Sequence, residues 1–486
     1  MTGLNNLLPV LPLLLTAAGS IVLLLVISIK RNHELSAIIA LITLFFSFIS
    51  AGVITFFDDQ MPVRITGLLI IDTYSLYFAQ LFTAASIATV VFTFLFFRTC
   101  AGRNVEEIYV LLLLATLGSQ VLTAASHFAS FILGLELISI SLYAMIAFRR
   151  DMKGIEAGLK YLVLAGSSAA VLLFGMALIY NEFGTMQFSR ISALAGFSHV
   201  NRLIVITGLV MIVAGTGFKL SLVPFHMWAP DIFQGSPPSI AGFISTVSKG
   251  AVFAVLVRFF KPADLQWDAS LSIIFWILAV ASMSAGNLLA LLQRDIRRLL
   301  AYSSITHMGY ILVAFLASGR LAYVAVAYYL TAYFITMLAA FGVITMVSLA
   351  PAKDNGRHRG ECCTGLARKS PVLTGMFIIS MLSLAGLPFT AGFIGKFLIL
   401  TAGAATGYIW LIVIMVVNSA VSVFYYLRVI LRLFAVPDDD STAISSIPGL
   451  PVAGIITMAV LTLFLIIFGI LPSPLIRLLM TLRMII

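Results

Sequence analysis

The chain has 486 residues, of which 61% are hydrophobic and only 10% are charged. Soluble domains carry about 25% charged residues, so this composition excludes a soluble globular protein and predicts a lipid-embedded one. The net charge of +10 does not call for a nucleic-acid partner, because membrane proteins gather Lys and Arg in the loops on one side. The three cysteines, Cys100, Cys362 and Cys363, have no metal-type spacing, so we expect neither a disulfide framework nor a metal site.

Apolar runs of roughly 20 residues predict membrane-spanning helices, and fourteen of them follow one another along the chain. They lie near residues 4–29, 35–57, 67–97, 107–124, 127–148, 156–181, 203–225, 239–259, 269–291, 297–317, 321–349, 372–400, 407–435 and 448–477. The predicted fold class is therefore an all-α polytopic membrane protein, with no segment that reads as a soluble domain.

Basic residues are distributed unevenly between the two sides that fourteen alternating spans define. Loops after odd-numbered spans hold 17 Lys and Arg residues, whereas the other side, with both termini, holds 8. The positive-inside rule therefore predicts cytoplasmic odd-numbered loops and both termini outside. We expect a multi-pass protein of the inner (cell) membrane.

The cations inside the predicted spans are all lysines, whereas every arginine lies in a loop or at the end of a span. These lysines are Lys160, Lys219, Lys249 and Lys396, and Glu136 is the one carboxylate deep in a span. An isolated charge at a helix centre costs about 2.5–3.5 kcal/mol, and such residues mark ion pathways. Because lysine can release its proton in a low dielectric and arginine effectively cannot, this set is typical of a proton path.

Lys219 lies in the stretch GTGFKLSLVPFHMWAPD, where Pro224 interrupts an apolar helix. A proline removes a backbone hydrogen bond, and broken helices at membrane depth line cavities and binding sites. We interpret Lys219 as a proton carrier whose affinity for the proton is set by burial and by Glu136. The alternative is a structural lysine that is permanently paired with a carboxylate.

Three other lysines have functional and structural interpretations side by side. Lys249, in the middle of SIAGFISTVSKGAVFAVLV, is a second carrier or a structural tether. Lys396, in LSLAGLPFTAGFIGKFLIL, is a third carrier or a side chain that extends to the interface. Lys160 is only about a turn inside its span, after Glu156, so an interfacial position is nearly as favoured as a role in transfer.

Two histidines could relay protons between the lysines, because the ordinary pKa of histidine is near 6.5. His307 is central in LAYSSITHMGYIL, and its alternative interpretation is a hydrogen-bonded core residue. His226 follows Lys219 by seven residues, and relay and structural interpretations carry equal weight for it. The sequence contains no redox-cofactor or phosphate-binding motif.

Two short segments indicate an internal repeat. LSLVPF at 220–225 and LAGLPF at 384–389 are both apolar helices broken by Pro-Phe, with Pro224 and Pro388 as the breaking residues. If the two broken spans correspond, spans 4–8 and 9–13 form two five-helix units, and the second unit is inverted because five is odd. The chain then divides into N-terminal spans 1–106, repeat units 107–260 and 261–435, and a C-terminal span within 436–486.

The longest motif, GFKLSLVPFHMWAPDIFQGSPPSIAGFISTVSKGAVFAVLVR, resembles the antiporter-like membrane subunits of respiratory complex I. RRLLAYSSITHMGYIL and LSLAGLPFTAGFIGKF fit the same family, so the resemblance spans most of the chain. Within the family the subunit N branch is the most similar. The L branch carries a long C-terminal lateral helix that is not seen here, and the M branch would carry a glutamate where this chain has Lys396.

The resemblance implies a proton-translocating subunit of a redox-driven NADH:quinone oxidoreductase. It implies that Glu136 and Lys219 form a coupled pair, that Lys249 is the central relay and that Lys396 leads to the outward half-channel. The interpretation of His307 as a proton bridge between the lysines does not come from the resemblance and is a separate inference. It also implies that the chain itself holds no cofactor, that quinone, NADH, FMN and Fe–S clusters belong to partner subunits, and that other complex I membrane subunits surround it in the bilayer.

Two alternatives remain open. Related subunits occur in Mrp-type cation/proton antiporters and in membrane-bound hydrogenase or dehydrogenase complexes. A sodium site would need more carboxylate or carbonyl ligands at depth, since hard cations favour oxygen ligands. A structural scaffold without an ion path is the third possibility, and it leaves the buried lysines unexplained.

Overall fold

The structure, a computed structural model, describes residues 8–57, 61–98, 104–194, 201–260, 269–349, 364–435, 451–482 and 484. The three cysteines of the sequence analysis, Cys100, Cys362 and Cys363, lie outside the described residues. The predicted fold class is confirmed, because α-helices that run back and forth account for nearly all of the described chain.

The first part of the chain packs five helices and one small hairpin. The helices are α1 (Leu11–Ile29), α2 (His33–Phe57), α3 (Thr73–Arg98), α4 (Glu107–Ala124) and α5 (Phe128–Ile146), and β1 (Val63–Ile65) pairs antiparallel with β2 (Leu69–Ile71). The hairpin corrects the prediction that the third span begins at residue 67. Thr66 and Gly67 both have positive φ, a turn geometry that suits a tight hairpin rather than a helix.

The middle of the chain contains the first broken helix. In order, the helices are α6 (Met152–Phe183), α7 (Phe188–Leu194), α8 (Arg202–Leu220), α9 (Trp228–Gly235), α10 (Pro238–Phe243) and α11 (Lys249–Phe260), and a π-helical turn, Ile244–Ser248, joins α10 to α11. The seventh predicted span thus ends at Leu220, before Pro224, and the chain resumes helix in the short α9.

The rest of the chain contains the second broken helix. The helices are α12 (Ala269–Leu291), α13 (Ile296–Leu316), α14 (Arg320–Val347), α15 (Leu366–Lys369), α16 (Pro371–Ala385), α17 (Ala391–Ala405), α18 (Ile409–Phe434), α19 (Val452–Ile470) and α20 (Ser473–Thr481). The twelfth predicted span is split into α16 and α17 around Pro388. The last predicted span is also split, because the chain turns at Leu471–Pro472 before α20.

Among the described residues, 13 helices are long and apolar enough to cross a membrane, and α16 and α17 are two shorter apolar helices. Together these elements correspond to the fourteen predicted spans. The segment from α10 to α11, with α13 and α14, is enclosed by other helices. By contrast, α6 and α18 present large apolar side chains such as Phe174, Trp410 and Phe424 at the surface, as expected of helices that face lipid or partner subunits.

One buried ion pair corrects the expectation that only lysines are buried. Arg258, near the end of α11, and Asp72, just before α3, are both 2% exposed, and the guanidinium donates to both carboxylate oxygens at 2.7 and 3.0 Å. Arg258 Nε also donates to the carbonyl of Thr123 on α4. The pair therefore joins α11 to α3 and α4 at one end of the bundle.

Candidate functional site

Lys219 lies in the last turn of α8, directly before the first break. It is 4% exposed, and its Nζ donates a hydrogen bond to Ser139 Oγ on α5 at 2.6 Å. Nζ also lies 5.3 Å from the ring centre of Tyr161 on α6. Two residues later Ser221 ends the helix in the left-handed conformation, with φ of 56°. Such backbone strain is uncommon for a residue with a Cβ and concentrates at functional sites.

Glu136 lies on α5 one turn before Ser139 and is half-buried at the outer surface of the bundle. It interacts electrostatically with Lys219. Within the described part of the chain, however, no ion pair of 4.0 Å or less joins the two side chains. The ammonium group of Lys219 instead donates its hydrogen bond to Ser139. The structure thus brings the predicted pair to one place without a direct contact.

Lys249 follows the π-helical turn Ile244–Ser248 and is fully buried. A π-helical turn widens the helix locally and is frequent at functional sites. The ammonium donates to Ser304 Oγ on α13 at 2.6 Å and also to the hydroxyl of Ser221. Ser221 is the residue that ends the helix of Lys219. The hydroxyl of Ser221 therefore links the first helix break to Lys249.

Hydroxyl groups extend from Lys249 towards His307. Ser304, the partner of Lys249, also accepts a hydrogen bond from Tyr333 OH at 2.8 Å, and the rings of Tyr333 and His307 lie 5.4 Å apart. The ring centre of Tyr310 lies 5.6 Å from that of His307 and 5.3 Å from Lys396 Nζ. The imidazole therefore lies between the second and the third buried lysine.

His307 is held at both ring nitrogens. Nδ1 lies 2.5 Å from the hydroxyl of Tyr329 on α14, and Nε2 lies 3.2 Å from that of Tyr426 on α18. Tyr426 also contacts the hydroxyl of Ser303. A neutral imidazole donates from one nitrogen and accepts at the other, so this arrangement can pass a proton from one phenol to the other.

Lys396 lies on α17 beside the second break, and its amine points inward. Nζ donates to the carbonyl of Ala385 at 2.7 Å and to Ser419 Oγ on α18 at 2.9 Å. Ala385 is the last residue of α16, so this carbonyl lies at the break. A cleft of about 230 Å³ between α17 and α18 reaches Lys396 and Ser419 from the surface. The interfacial alternative for this lysine does not match its position.

The two lower-ranked candidates lie apart from this series. Lys160 is exposed, and its ammonium contacts Glu156 on α6 at 2.7 Å and Asp231 on α9 at 3.1 Å. His226 lies in the break between α8 and α9 and is 8% exposed. Neither ring nitrogen has a hydrogen-bond partner among the described residues.

The sequence analysis did not predict the serine hydroxyl groups that accept hydrogen bonds from the buried lysines. Ser139, Ser221, Ser304 and Ser419 each accept a hydrogen bond from an ammonium group. Serine and tyrosine are common in spans, and nothing in their local pattern separates those at the site from the others. Only Ser221 and Ser304, which lie inside motifs that were already singled out, offered a signal.

The arrangement of the buried groups supports proton transfer. A hydroxyl can donate and accept at once, so lysines linked by hydroxyls can exchange protons when the groups rotate. In the described residues no group of three or more His, Cys, Asp or Glu side chains could hold a metal ion.

Comparisons with known proteins agree with the motifs. Residues 125–422 match the family model described as "NADH:quinone oxidoreductase/Mrp antiporter, TM". The chain is 41% identical to a curated protein of Ectopseudomonas mendocina (strain ymp) named NADH-quinone oxidoreductase subunit N, over 98% of this chain and 96% of that one.

Solved structures share the fold. A chain of respiratory complex I from Thermus thermophilus is 30% identical and superposes with a TM-score of 0.79, covering 96% of this chain and 98% of that chain. A chain of the Mrp complex from Dietzia sp. DQ12-45-1b has a TM-score of 0.83 at 18% identity, covering 99% of this chain and 97% of that chain. The second likeness shows the fold alone.

Proposed function

This chain belongs to the family of membrane subunits shared by NADH:quinone oxidoreductases and Mrp antiporters, and from that membership we propose that it is a proton-translocating subunit of a redox-driven NADH:quinone oxidoreductase. Its place in the complex is that of subunit N. It acts as part of a translocase and carries no redox site of its own, while quinone, NADH, FMN and Fe–S clusters belong to partner subunits.

One observation carries the proposal. Three buried ammonium groups, those of Lys219, Lys249 and Lys396, lie at interruptions of membrane helices, and each donates a hydrogen bond to at least one serine hydroxyl. His307 lies between the last two. A buried charge is costly and is retained where it is used, so this series supports a path for protons through the bundle.

Each group in the series has a proposed role. A change of charge in a neighbouring subunit beside Glu136 alters the proton affinity of Lys219. The proton then passes to Lys249, across His307 and its tyrosines, and to Lys396, which releases it through the cleft beside α18. Because the groups interact, each titration belongs to the coupled set. Lys160 and His226 lie off this path.

The orientation follows from the charge distribution. Cytoplasmic odd-numbered loops place α9 between the first break and the cytoplasm, and they place α17, with Lys396, on the outer side of the second break. This orientation supports uptake from the cytoplasm and release outward. The lipid bilayer and other membrane subunits of the complex surround the chain.

Reconstituted complex in liposomes tests the proposal. Lys219→Ala should abolish most proton pumping and, through coupling, lower quinone reduction as well, because the first carrier is lost. Lys369→Ala, at the end of α15, is a matched control that removes a lysine away from the path. Wild-type pumping by an assembled Lys219→Ala complex would refute the proposal.

Sodium transport is the competing activity of the same fold. Glu136 is the one carboxylate deep in a predicted span, and the buried cations around the path are lysines, which argues against a sodium site and favours protons. Pumping by the reconstituted complex should therefore persist in sodium-free buffer. A strict requirement for sodium would favour the antiporter activity.

A further inference from the structure

A cluster of charged side chains outside the lysine series holds the short helix α9 in place. Asp231, on α9, contacts Lys160 of α6 through Oδ2 at 3.1 Å and Arg298 of α13 through Oδ1 at 2.7 Å. Glu156 adds a second partner for Lys160 at 2.7 Å. One carboxylate therefore joins α9 to two neighbouring helices.

Two further contacts hold the same end of α9. Gln234 accepts a hydrogen bond from Arg298 at 3.1 Å and donates one to Asp295 at 2.9 Å. Gly235 presses so closely on α6 that a Cβ there would lie 2.6 Å from the Cβ of Ala157. The end of α9 is thus packed directly against α6 and hydrogen-bonded to α13 and the residue before it.

The opposite face of α9 covers the central lysine. Lys249 Nζ lies 5.6 Å from the ring centre of Phe233 and 6.0 Å from that of Trp228, both on α9. Trp228 also donates to the carbonyl of Phe218, on α8. An eight-residue helix therefore has charged side chains on one face and the buried ammonium behind aromatic rings on the other.

A polar cleft opens on the charged side of α9. It has a volume of about 140 Å³ and is lined by Lys153, Glu156, Lys160, Asp231 and Gln234. A water molecule occupies about 30 Å³, so several waters fit. The cleft reaches α9, and α9 covers Lys249.

We propose that α9 is a gate for water and protons between this cleft and Lys249, and that the ion pairs of Asp231 with Lys160 and Arg298 latch it closed. The inference rests on the proposed function, since it concerns access to a lysine of the proton path. Asp231 is a positioning residue here, because it acts on Lys249 through the placement of α9. It also gives Lys160 a role off the path.

The latch depends on pH in a defined direction. Burial alone would raise the pKa of the Asp231 carboxyl, but hydrogen bonds from Arg298 and Lys160 hold it below its ordinary value. The other charged groups at this place are the carboxylates Glu156 and Asp295 and the cation Lys153, which lines the cleft. Since the folded pKa is lowered, the latch is complete above the ordinary pKa of aspartate and is lost as pH falls through the lowered one.

Thiol labelling in the assembled complex tests the gate without any turnover. Ser236, which follows α9 and is fully buried, is replaced by cysteine in a chain whose three natural cysteines are serines. A water-soluble thiol reagent should label Cys at this position slowly in the latched protein. Adding Asp231→Asn should raise the rate about tenfold, because two partly exposed ion pairs are lost together. Asp231→Glu should restore slow labelling.

Controls separate the latch from general loosening. Glu156→Gln removes a partner of Lys160 that does not touch α9, so it should leave the labelling rate unchanged. The reactivity of the thiol itself also changes with pH, but it changes equally in both proteins. The ratio of the labelling rate of Asp231→Asn to that of the parent therefore reports on the latch alone, and it should fall to one at acid pH. If Asp231→Asn prevents assembly, Arg298→Gln and the acid titration of the parent replace it.

Equal labelling of the parent and the Asp231→Asn variant would overturn the gate, as would an equal increase in Glu156→Gln. Neither result would contradict the proposed function, because the labelling experiment does not measure proton pumping.

Discussion

The three buried lysines share one kind of surroundings. Their ammonium groups donate to hydroxyl or carbonyl oxygens, and the carboxylate of Glu136 stays at a distance from Lys219. A carboxylate in contact would fix the positive charge, because breaking a buried ion pair leaves an uncompensated charge and costs about 3–5 kcal/mol. A neutral hydroxyl can bind either the protonated or the free amine, so these partners suit a lysine that must change its charge.

Lys249→Arg should strongly reduce pumping although it preserves the positive charge. Arginine holds its proton under all conditions relevant here, so the central relay would be blocked; a residual rate of about one tenth or less is expected. The measurement is proton uptake per quinone reduced in liposomes. Lys369→Arg, an exposed substitution, should be neutral, and full activity of Lys249→Arg would favour the tether interpretation.

The buried pair of Arg258 and Asp72 has a different role, which is structural. Asp72→Asn leaves a fully buried guanidinium without its charge partner, and the expected loss of stability is about 3 kcal/mol or more. The measurement is the temperature at which the purified complex loses this subunit. Asp151→Asn, in the partly exposed pair with Arg149, should cost less than about 1 kcal/mol. Similar losses for both variants would contradict this role.

The two broken helices end for the same physical reason at slightly different places. In both, the last helical residue lies three or four residues before the proline, because the proline ring disfavours the helical conformation upstream. A residue in the left-handed backbone conformation, Ser221 after α8 and Gly386 after α16, ends each helix. The proline motif therefore predicted the existence of each break, whereas the backbone conformation of these residues decided its position.

Gly386→Ala tests the second break. Gly386 has φ of 79°, and a Cβ there would lie 2.7 Å from Cδ of Lys396 and 2.9 Å from its Nζ. The substitution should strain the backbone and push the amine away from Ala385, so pumping should fall several-fold. Proton pumping and quinone reduction are measured together. Gly375→Ala, with nothing near its Cβ position on the same helix, is the control and should leave pumping unchanged.

The molecule as a whole places its polar groups inside an apolar shell. The enclosed helices α11 and α13 carry Lys249 and His307, whereas α6 and α18 expose large apolar side chains at the surface. A long hydrophobic run indicates that a helix crosses the membrane, but it does not indicate which face meets lipid. The two five-helix units and their boundaries at residues 107–260 and 261–435 stay a prediction at this level.

Orientation in the membrane can be measured directly. In a chain without natural cysteines, Asn32→Cys, between α1 and α2, should react with an impermeant reagent only from the cytoplasmic side. Asn181→Cys, near the end of α6, should react only from the outside. The expectation follows from 17 basic residues in the odd-numbered loops against 8 on the other side. The reverse labelling pattern would invert the proposed direction of transport.

The sequence predicted the spans, the two breaks and the buried lysines of the proposed path, because hydrophobic length, proline and buried charge are local properties of the chain. It also placed Lys219, Lys249 and Lys396 in membrane helices, and the structure finds all three buried. The predicted start of the third span at residue 67 was wrong, because a turn with positive φ forms a hairpin there. The expectation that only lysines are buried was also wrong, because Arg258 is buried with Asp72, which lies 186 residues away along the chain.

The tertiary structure alone decided which groups meet. Lys219 binds Ser139, which is 80 residues away, and Lys249 binds Ser304, which is 55 residues away. It also showed that Lys160 is exposed and holds α9 instead of joining the other lysines. Hydrogen bonds act over about 3 Å, so a partner is fixed by how helices pack, and no pattern along one helix contains that information.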